Sequence, residues 1–475
     1  MSDDNHFTSS FDPKKILELF QIDEDIIEKL DIYHASDGVH IAVTLKKAVH
    51  NCPICGCETA RTKAYVDKKI KHAVLTNNEC FINYRARRFI CPACGKTFLE
   101  KNPFVLENMK ISVATVYNVL GDLKNSHDTF TSVGDRYGIS PTTAIKIFDE
   151  HVHISRRKLP EVLCVDEVYA MPNDESKYVC VLLDFKTQKV VDILPSRRKS
   201  DLINYFSLIP KKERENVKYV SFDLWKTYRD VAGIMFPGSL TSCDKFHVIQ
   251  EMSRQFKNVR IRIMKQYAQT RNYYRYEKSY RPLAPKEREK FREACDNYYV
   301  LKKFNWLLFS SDERINDPNE KKRFNKVLCR YMNYYDLYDY LIHINSELEI
   351  AAYLKDDLQR FYKNCQFENA GDQLNSIIKD FRTCGIPELV HFAGTLAEWK
   401  HEIVNSFIIV DKDKKRRINN GVIENKNKII KNLKHNANGF KNFNRFRNRA
   451  MYCINDDATF YMLPIKKGDE NNHEE

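Results

Sequence analysis

Four cysteines stand in two short pairs, Cys52-Pro-Ile-Cys55-Gly and Cys91-Pro-Ala-Cys94-Gly, separated by 35 residues. Each CxxC turn points two thiolates at one tetrahedral ion, and the glycine after the second Cys lets backbone amides approach the sulfurs. Two such turns predict a closed, structural zinc site with ligands Cys52, Cys55, Cys91 and Cys94. The alternative is a buried or redox-active thiol set. Cys57 and Cys80 are spare thiols nearby, and His72 reads as a surface residue, not a ligand. Arg85, Arg87 and Arg88 fall on a strand entering the second turn, where they can meet phosphate or simply face solvent.

Three carboxylates form a second candidate set. Asp166 ends the apolar run Val162–Val165, and Asp223 ends a second run from Val217 to Phe222. Open α/β sheets assemble their sites at the carboxyl ends of neighbouring strands. Glu424 lies in NNGVIENKNKIIKNLKHN, which projects as a helix. Val422, Ile429, Ile430 and Leu433 share an apolar stripe there, while Glu424, Lys428, Lys431 and His435 cluster opposite. Three such carboxylates could hold two hard divalent cations, Mg²⁺ or Mn²⁺, with Lys428 and Lys431 steadying a phosphodiester backbone. The plain alternative for Glu424 is an exposed i,i+4 pair with Lys428. Glu167 directly follows Asp166, so strand alternation should send it to the other face, away from such an ion.

The elements that must position these groups change in texture along the 475 residues. Residues 1–48 form an acidic segment, and residues 49–104 are the cysteine-punctuated unit. Residues 105–158 are helical; within them, TFTSVGDRYGISPTTAIKIFDE reads as a helix-turn-helix. Phe130, Val133 and Tyr137 line its first helix, Gly138 permits the turn, and Ser140 with Pro141 opens the second. Thr142, Thr143 and Lys146 are then left to meet a major groove. Strand-like runs alternate with helices over 159–249, long aromatic and charged helices fill 250–410, and a basic stretch follows over 411–455. The tail, 456–475, reads as polar and disordered at its end. RNYYRYEKSY at 271–280 interleaves aromatic and basic residues that could stack on unpaired bases, but helix packing is the preferred reading.

Composition narrows the partner. Hydrophobic residues are 43% and charged residues 30%, a globular balance. No apolar run approaches a membrane span, and the start MSDDNHFTSS lacks the basic and apolar blocks of a signal peptide. A cytoplasmic chain follows. Residues 1–35 carry 3 basic and 9 acidic side chains, residues 51–101 carry 10 and 4, and residues 411–450 carry 13 and 3. Two basic concentrations beside candidate sites point to a polyanion.

CPICG…CPACGKTF, the helix-turn-helix, VDE, SFDLWKTY, DKFHVIQ and NGVIENKNKIIK, in that order, resemble the ISL3-type family of bacterial insertion-sequence transposases. The resemblance covers roughly residues 50–453. It implies a multi-domain α/β chain: zinc ribbon, helix-turn-helix, and a ribonuclease-H-like mixed β-sheet core interrupted by an all-α insertion. By position, Asp166, Asp223 and Glu424 match the family's Asp-Asp-Glu triad, and residues 250–410 match its insertion. Asn425 replaces the glycine that usually follows the Glu. Asp244 and His247 match a further family motif, in which His247 could hold a DNA phosphate, position a water or cap a helix. The implied activity is Mg²⁺-dependent DNA cleavage and strand transfer at terminal inverted repeats, by a dimer or larger assembly on nucleoid DNA. A non-catalytic DNA-binding regulator and a nuclease or resolvase of the same core fold remain the alternatives.

Overall fold

Strands β1 (Ile27–Ala35) and β2 (Gly38–Leu45) form an antiparallel hairpin. Next come β3 (His50–Asn51) and β4 (Glu58–Thr59), paired around the first cysteine turn, then β5 (Thr62–Lys71), β6 (Cys80–Ile90) and β7 (Thr97–Leu99). The sheet order is β1-β2-β6-β5, with β7 on β6. Strand β2 runs parallel to β6, from Val39 opposite Cys80 to Val43 opposite Tyr84. Alternate residues Ile41, Val43 and Leu45 of β2 share one core with Cys80, Ile82 and Tyr84 of β6. Residue 48 therefore marks no break, because the acidic N-terminal strands and the cysteine unit build one sheet. The structure, a computed structural model, describes residue 18 and residues 20–73, 79–107, 109–170, 176–310, 315, 317–411 and 413–462. The start of the acidic segment (1–17) and the end of the tail (463–475) lie outside the described residues.

Helices α1 (Val113–Asp122), α2 (Phe130–Arg136) and α3 (Pro141–His151) follow. Thr129 and Ser132 cap α2 reciprocally, and the Ser140 side chain accepts the Thr143 amide at the start of α3. Gly138 between them has φ +58, the left-handed backbone that favours glycine. Val133 of α2 and Tyr137, which ends it, pack on Ile147 and Phe148 of α3; Ile145 is only half-buried.

The second sheet consists of β8 (Val162–Tyr169), β9 (Tyr178–Asp184), β10 (Val190–Leu194), β11 (Tyr219–Phe222) and β12 (Leu240–Cys243). Its order is β10-β9-β8-β11-β12; β9 runs antiparallel to both β10 and β8, whereas β11 joins β8 and β12 joins β11 in parallel. Helices α4 (Lys199–Ser207), α5 (Lys211–Arg214) and α6 (Lys226–Met235) connect them. Both faces are covered, so β8 reads as a nearly continuous apolar run. Leu163 and Val165 face one core, and Val162, Cys164 and Val168 the other.

Helix α7 (Lys245–Tyr280) leaves the end of β12 and runs unbroken through residue 249, where the sequence suggests a domain boundary. It is followed by α8 (Pro285–Lys303), the hairpin β13 (Arg323–Asn325)–β14 (Arg330–Met332), α9 (Tyr334–Ile342), α10 (Ser346–Asn364), α11 (Phe367–Thr383), α12 (Pro387–Glu398) and α13 (Lys400–Asn405). The buried side of this helical block merges with the Leu163 face of the sheet into one core. The short hairpin β15 (Ile409–Asp411)–β16 (Arg416–Arg417) leads to α14 (Gly421–Asn436) and α15 (Phe443–Ile454), which cover the Val162 face. Fully buried Ile423 and Ile430 anchor α14 there; truncating Ile430 to Ala would cost about 2–5 kcal/mol through the cavity left behind.

Candidate active site

Register explains how the acidic groups meet. Strand β8 does not stop at Asp166 but continues to Tyr169 against β9, with Asp166 opposite Val181. Its other edge pairs with β11 only as far as Cys164 opposite Ser221. Asp166 thus stands just beyond the end of β11, where Asp223 emerges. Phe222 is paired with Cys243, so Asp223 and Asp244 leave adjacent parallel strands side by side. The Asp244 side chain caps α7 by accepting the Phe246 amide, 3.2 Å. That fixes His247 in the first turn, with Nε2 2.8 Å from Asp223 Oδ1. The approach is off-axis, and this buried oxygen accepts no hydrogen bond.

The carboxylates fall into two touching sets. Oxygens of Asp166, Glu167 and Asp223 lie within 4.8 Å of one another, as do ligand atoms of Asp244, His247 and Glu424. The His247–Asp223 contact joins the two. Glu167 corrects the sequence reading. Alternation does turn it to the opposite face, where it meets Tyr228 (3.0 Å) and Arg197, yet its carboxylate still reaches the cluster. Glu424, in the first turn of α14, forms no ion pair with Lys428 or any other lysine among the described residues. Lys428 and Lys431 are exposed on the outer side of α14.

The electrostatics are those of a site short of positive charge. Burial, and next the charge of Asp223, push the Asp166 carboxyl up to about 7. Burial also raises Glu167 and Asp244. Burial pulls His247 down, but its close contact with the Asp223 carboxylate and the negative charge there outweigh it, so the imidazole is raised. Asn427, one turn beyond Glu424, donates to Asp166 Oδ2 at 2.6 Å, and Asn420 donates to the Val165 carbonyl at 3.2 Å. Both amide oxygens are buried without a partner. Neither asparagine stands out in the sequence; the buried stripe of α14 is Ile423, Asn427, Ile430 and Leu433, which keeps the predicted Ile430 and Leu433, leaves Val422 and Ile429 half-buried at its edge, and has Asn427 as its polar member. Beside the acids opens a cleft of about 770 Å³, walled by Arg197, Trp225, Gln250, Arg254, Lys257 and Phe309 among others.

The cysteine turns meet as expected. Sγ of Cys52 lies 3.7 Å from that of Cys94, and Sγ of Cys55 lies 3.5 Å from that of Cys91. Sulfurs at ~2.3 Å around a tetrahedral zinc would be about 3.8 Å apart, so the four thiols fit the ion. Amides of Gly56 and Gly95 close the two turns onto the Cys52 and Cys91 carbonyls. Backbone N–H groups, first that of Cys94, pull the Cys91 thiol down to about 6, toward the thiolate a metal needs.

The remaining predicted contacts separate by burial. Thr142 and Lys146 are exposed on α3, whereas the Thr143 hydroxyl is turned to Ser140 at 2.8 Å. Arg85 and Arg88 are exposed on β6; Arg85 stacks over Tyr65. Arg87 is a correction: its side chain is 2% exposed and bound to Glu100 and Glu28, each at 2.9 Å, so it cannot reach phosphate. Its burial breaks the alternation of β6, in which Arg85 on the same face is exposed; Glu100, which accepts from the Tyr84 hydroxyl and the Arg87 guanidinium, draws it inside. His72 is likewise buried, held by Ser112 (2.8 Å) and the Phe20 carbonyl (2.7 Å).

Residues 163–450, more than half of the chain, match the ISL3-type family model described as transposase. The chain belongs to the ISL3-type transposase family. Residues 48–94 match the zinc-finger of transposase IS204/IS1001/IS1096/IS1165. No curated protein matches the chain. The protein is an insertion-sequence transposase, a DNA-cleaving and strand-transferring enzyme, with a structural zinc site at Cys52, Cys55, Cys91 and Cys94. No helix of the described residues is long and apolar enough to cross a membrane.

Proposed function

We propose that the acidic cluster is the transposase's catalytic centre, with Asp166, Asp223 and Glu424 as the principal ligands of Mg²⁺ or Mn²⁺. The observation that carries this reading is the convergence of carboxylates from within β8, from the ends of β11 and β12 and from α14. Around them lie buried oxygen atoms of Asp223, Asn420 and Asn427 that accept nothing from the protein. Hard oxygen donors in that number suit a small divalent cation. When bound, the cation lowers the pKa of a coordinated water and polarises a phosphodiester. The sheet order, three antiparallel strands extended by two parallel ones, supports a ribonuclease-H-like core interrupted between β12 and α14 by the helical block.

The protein's own groups have distinct tasks in this reading. Asn427 and the Glu167 amide each hold one oxygen of Asp166 and so fix its plane. His247 lies between Asp223 and Glu424, able to keep a proton beside the departing or attacking oxygen. Arg197 is stacked on Tyr178 and Trp225 and paired with Glu167; it steadies that carboxylate and brings positive charge to the cleft. The N-terminal sheet with Arg85 and Arg88, and α3 with Thr142, Thr143 and Lys146, would read terminal inverted repeats, while Lys428 and Lys431 hold DNA beside α14. Two ends brought together require at least two copies.

The test is Asp166→Asn in the full chain with Mg²⁺ and labelled element ends. Cleavage should fall below detection while end binding stays within about twofold. Cutting at the wild-type rate would remove Asp166 from the chemistry.

A further inference from the structure

One face of α7 is exposed at intervals from Arg254 to Tyr280. The opposite face is buried through Val248, Met252, Phe256, Val259 and Ile263, and beyond Ile263 none of its residues is buried. Met264 and Tyr267 still pack at the margin of the core, and beyond them α7 runs out to Tyr280 and returns as α8. Exposed residues recur along α7 at spacings of four and seven: Arg254, Asn258, Lys265, Gln269, Tyr276 and Tyr280. Alternating fours and sevens give 11 residues per three turns, close to the helical period, so the six form a straight ridge. Counting back one more step of seven reaches His247, in the acidic site. The tyrosines do not pack as the sequence suggests: Tyr276 is 62% and Tyr280 73% exposed.

The ridge has the chemistry of a polyanion track. Helix α7 holds nine Lys or Arg against two Glu. Four of the cations are engaged: Arg254 with Glu251, Arg260 with the Leu301 carbonyl, Arg262 with Glu347 and Glu388, and Arg271 with the Tyr298 ring. Lys257, Lys265 and Arg275 have no ion-pair partner among the described residues and are exposed. Amide and phenol groups between them can donate to phosphate oxygens in any sequence. From Arg254 to Tyr280 the ridge is about 40 Å long at 1.5 Å per residue, which spans about a dozen base pairs of straight duplex at 3.4 Å each.

The geometry points to the exposed face of α7 as a binding track for duplex DNA leading away from the scissile phosphate, with the tyrosine tip of the hairpin as its far end. This rests on the acidic cluster being the place of reaction, but it is tested without cleavage. The probe is a 40-base-pair duplex of arbitrary sequence, titrated by fluorescence anisotropy against the full chain at several salt concentrations. Lys257→Ala with Lys265→Ala should lower the slope of log affinity against log salt by about two, one for each phosphate that is no longer neutralised. Tyr276→Ala with Tyr280→Ala should weaken binding several-fold with the slope unchanged. Wild-type affinity and slope in both double variants overturn the track. So does a fall in molar mass by light scattering with DNA binding intact, because the face then binds a second copy of the chain. Failure of Asp166→Asn to stop cleavage would move the chemistry elsewhere and leave these titrations untouched, so the two ideas fail separately.

Discussion

Asn427 on α14 donates to Asp166 on the central strand β8 at 2.6 Å, although 261 residues separate them in the chain. The Glu167 amide holds the other oxygen at 2.7 Å, so the carboxylate plane is set from two sides. Groups that orient a metal-binding carboxylate typically contribute about 10–100-fold to affinity or activity. Asn427→Ala should therefore slow single-turnover strand cleavage about 10–100-fold and raise the Mg²⁺ concentration needed for half-maximal rate. End binding should stay within about twofold. A variant that cuts normally at limiting Mg²⁺ would leave Asn427 as packing only.

Metal and pH should be linked at the same residue. Asp166 holds its proton to about 7, against 3.8 for an ordinary Asp, because burial and then Asp223 disfavour its charge. Between those values the folded protein binds more protons than the unfolded chain. This contribution to stability is complete below the lower value and is lost as pH rises through the upper one. In chelator the melting temperature should fall between about pH 5 and pH 8 for this reason. A dication replaces the proton, so Mn²⁺ should restore more stability at the upper pH than at the lower. An equal shift at both, read by differential scanning fluorimetry, would deny that protons and metal compete there.

Much of this site can be read from residue patterns, and the misses have physical causes. Asp166 and Asp223 follow apolar runs that can only be buried strands, and Cys52, Cys55, Cys91 and Cys94 have a spacing with few other uses. Glu167 is misread because alternation fixes the direction of Cβ but not the reach of a long carboxylate beyond the end of a neighbouring strand. Asn427 looks like one more polar residue on a lysine-rich helix; only the tertiary position of α14 makes it a core residue. The parallel pairing of β2 with β6 leaves no local trace, so an acidic segment looks separate from the cysteine unit it completes. The tyrosines near 276 invite a packing explanation, yet Tyr276 and Tyr280 pack chiefly on each other and stay largely exposed on α7.

The zinc site gives a prediction with an internal control. Cys91→Ser removes one of four converging sulfurs and should take zinc from one to none per chain by elemental analysis after dialysis. Because the metal ties the β3–β4 turn to the β6–β7 turn, its loss should also lower the melting temperature and weaken binding to element ends. Cys57→Ser, outside the cluster, should keep the zinc. If Cys91→Ser retained full zinc, the four-thiolate site would be wrong.

The same strand offers two arginines with opposite expected effects. Arg87 is buried with Glu100, also nearly inaccessible at 3%, and binds the Leu45 carbonyl at 2.6 Å, which fastens β6 to β2. Removing one partner of such a pair leaves a buried charge uncompensated, a loss of about 3–5 kcal/mol. Arg87→Ala should accordingly destabilise the N-terminal sheet and release its zinc more readily, with a large drop in the denaturant midpoint. Arg85, two residues earlier, is exposed and stacks on the Tyr65 ring. Arg85→Ala should leave stability within about 0.5 kcal/mol, as surface substitutions do, while lowering the salt dependence of DNA binding by about one phosphate. The reverse pattern, stable Arg87→Ala and unfolded Arg85→Ala, would mean that Arg87 does not hold the buried Glu100 and Leu45 contacts assigned to it.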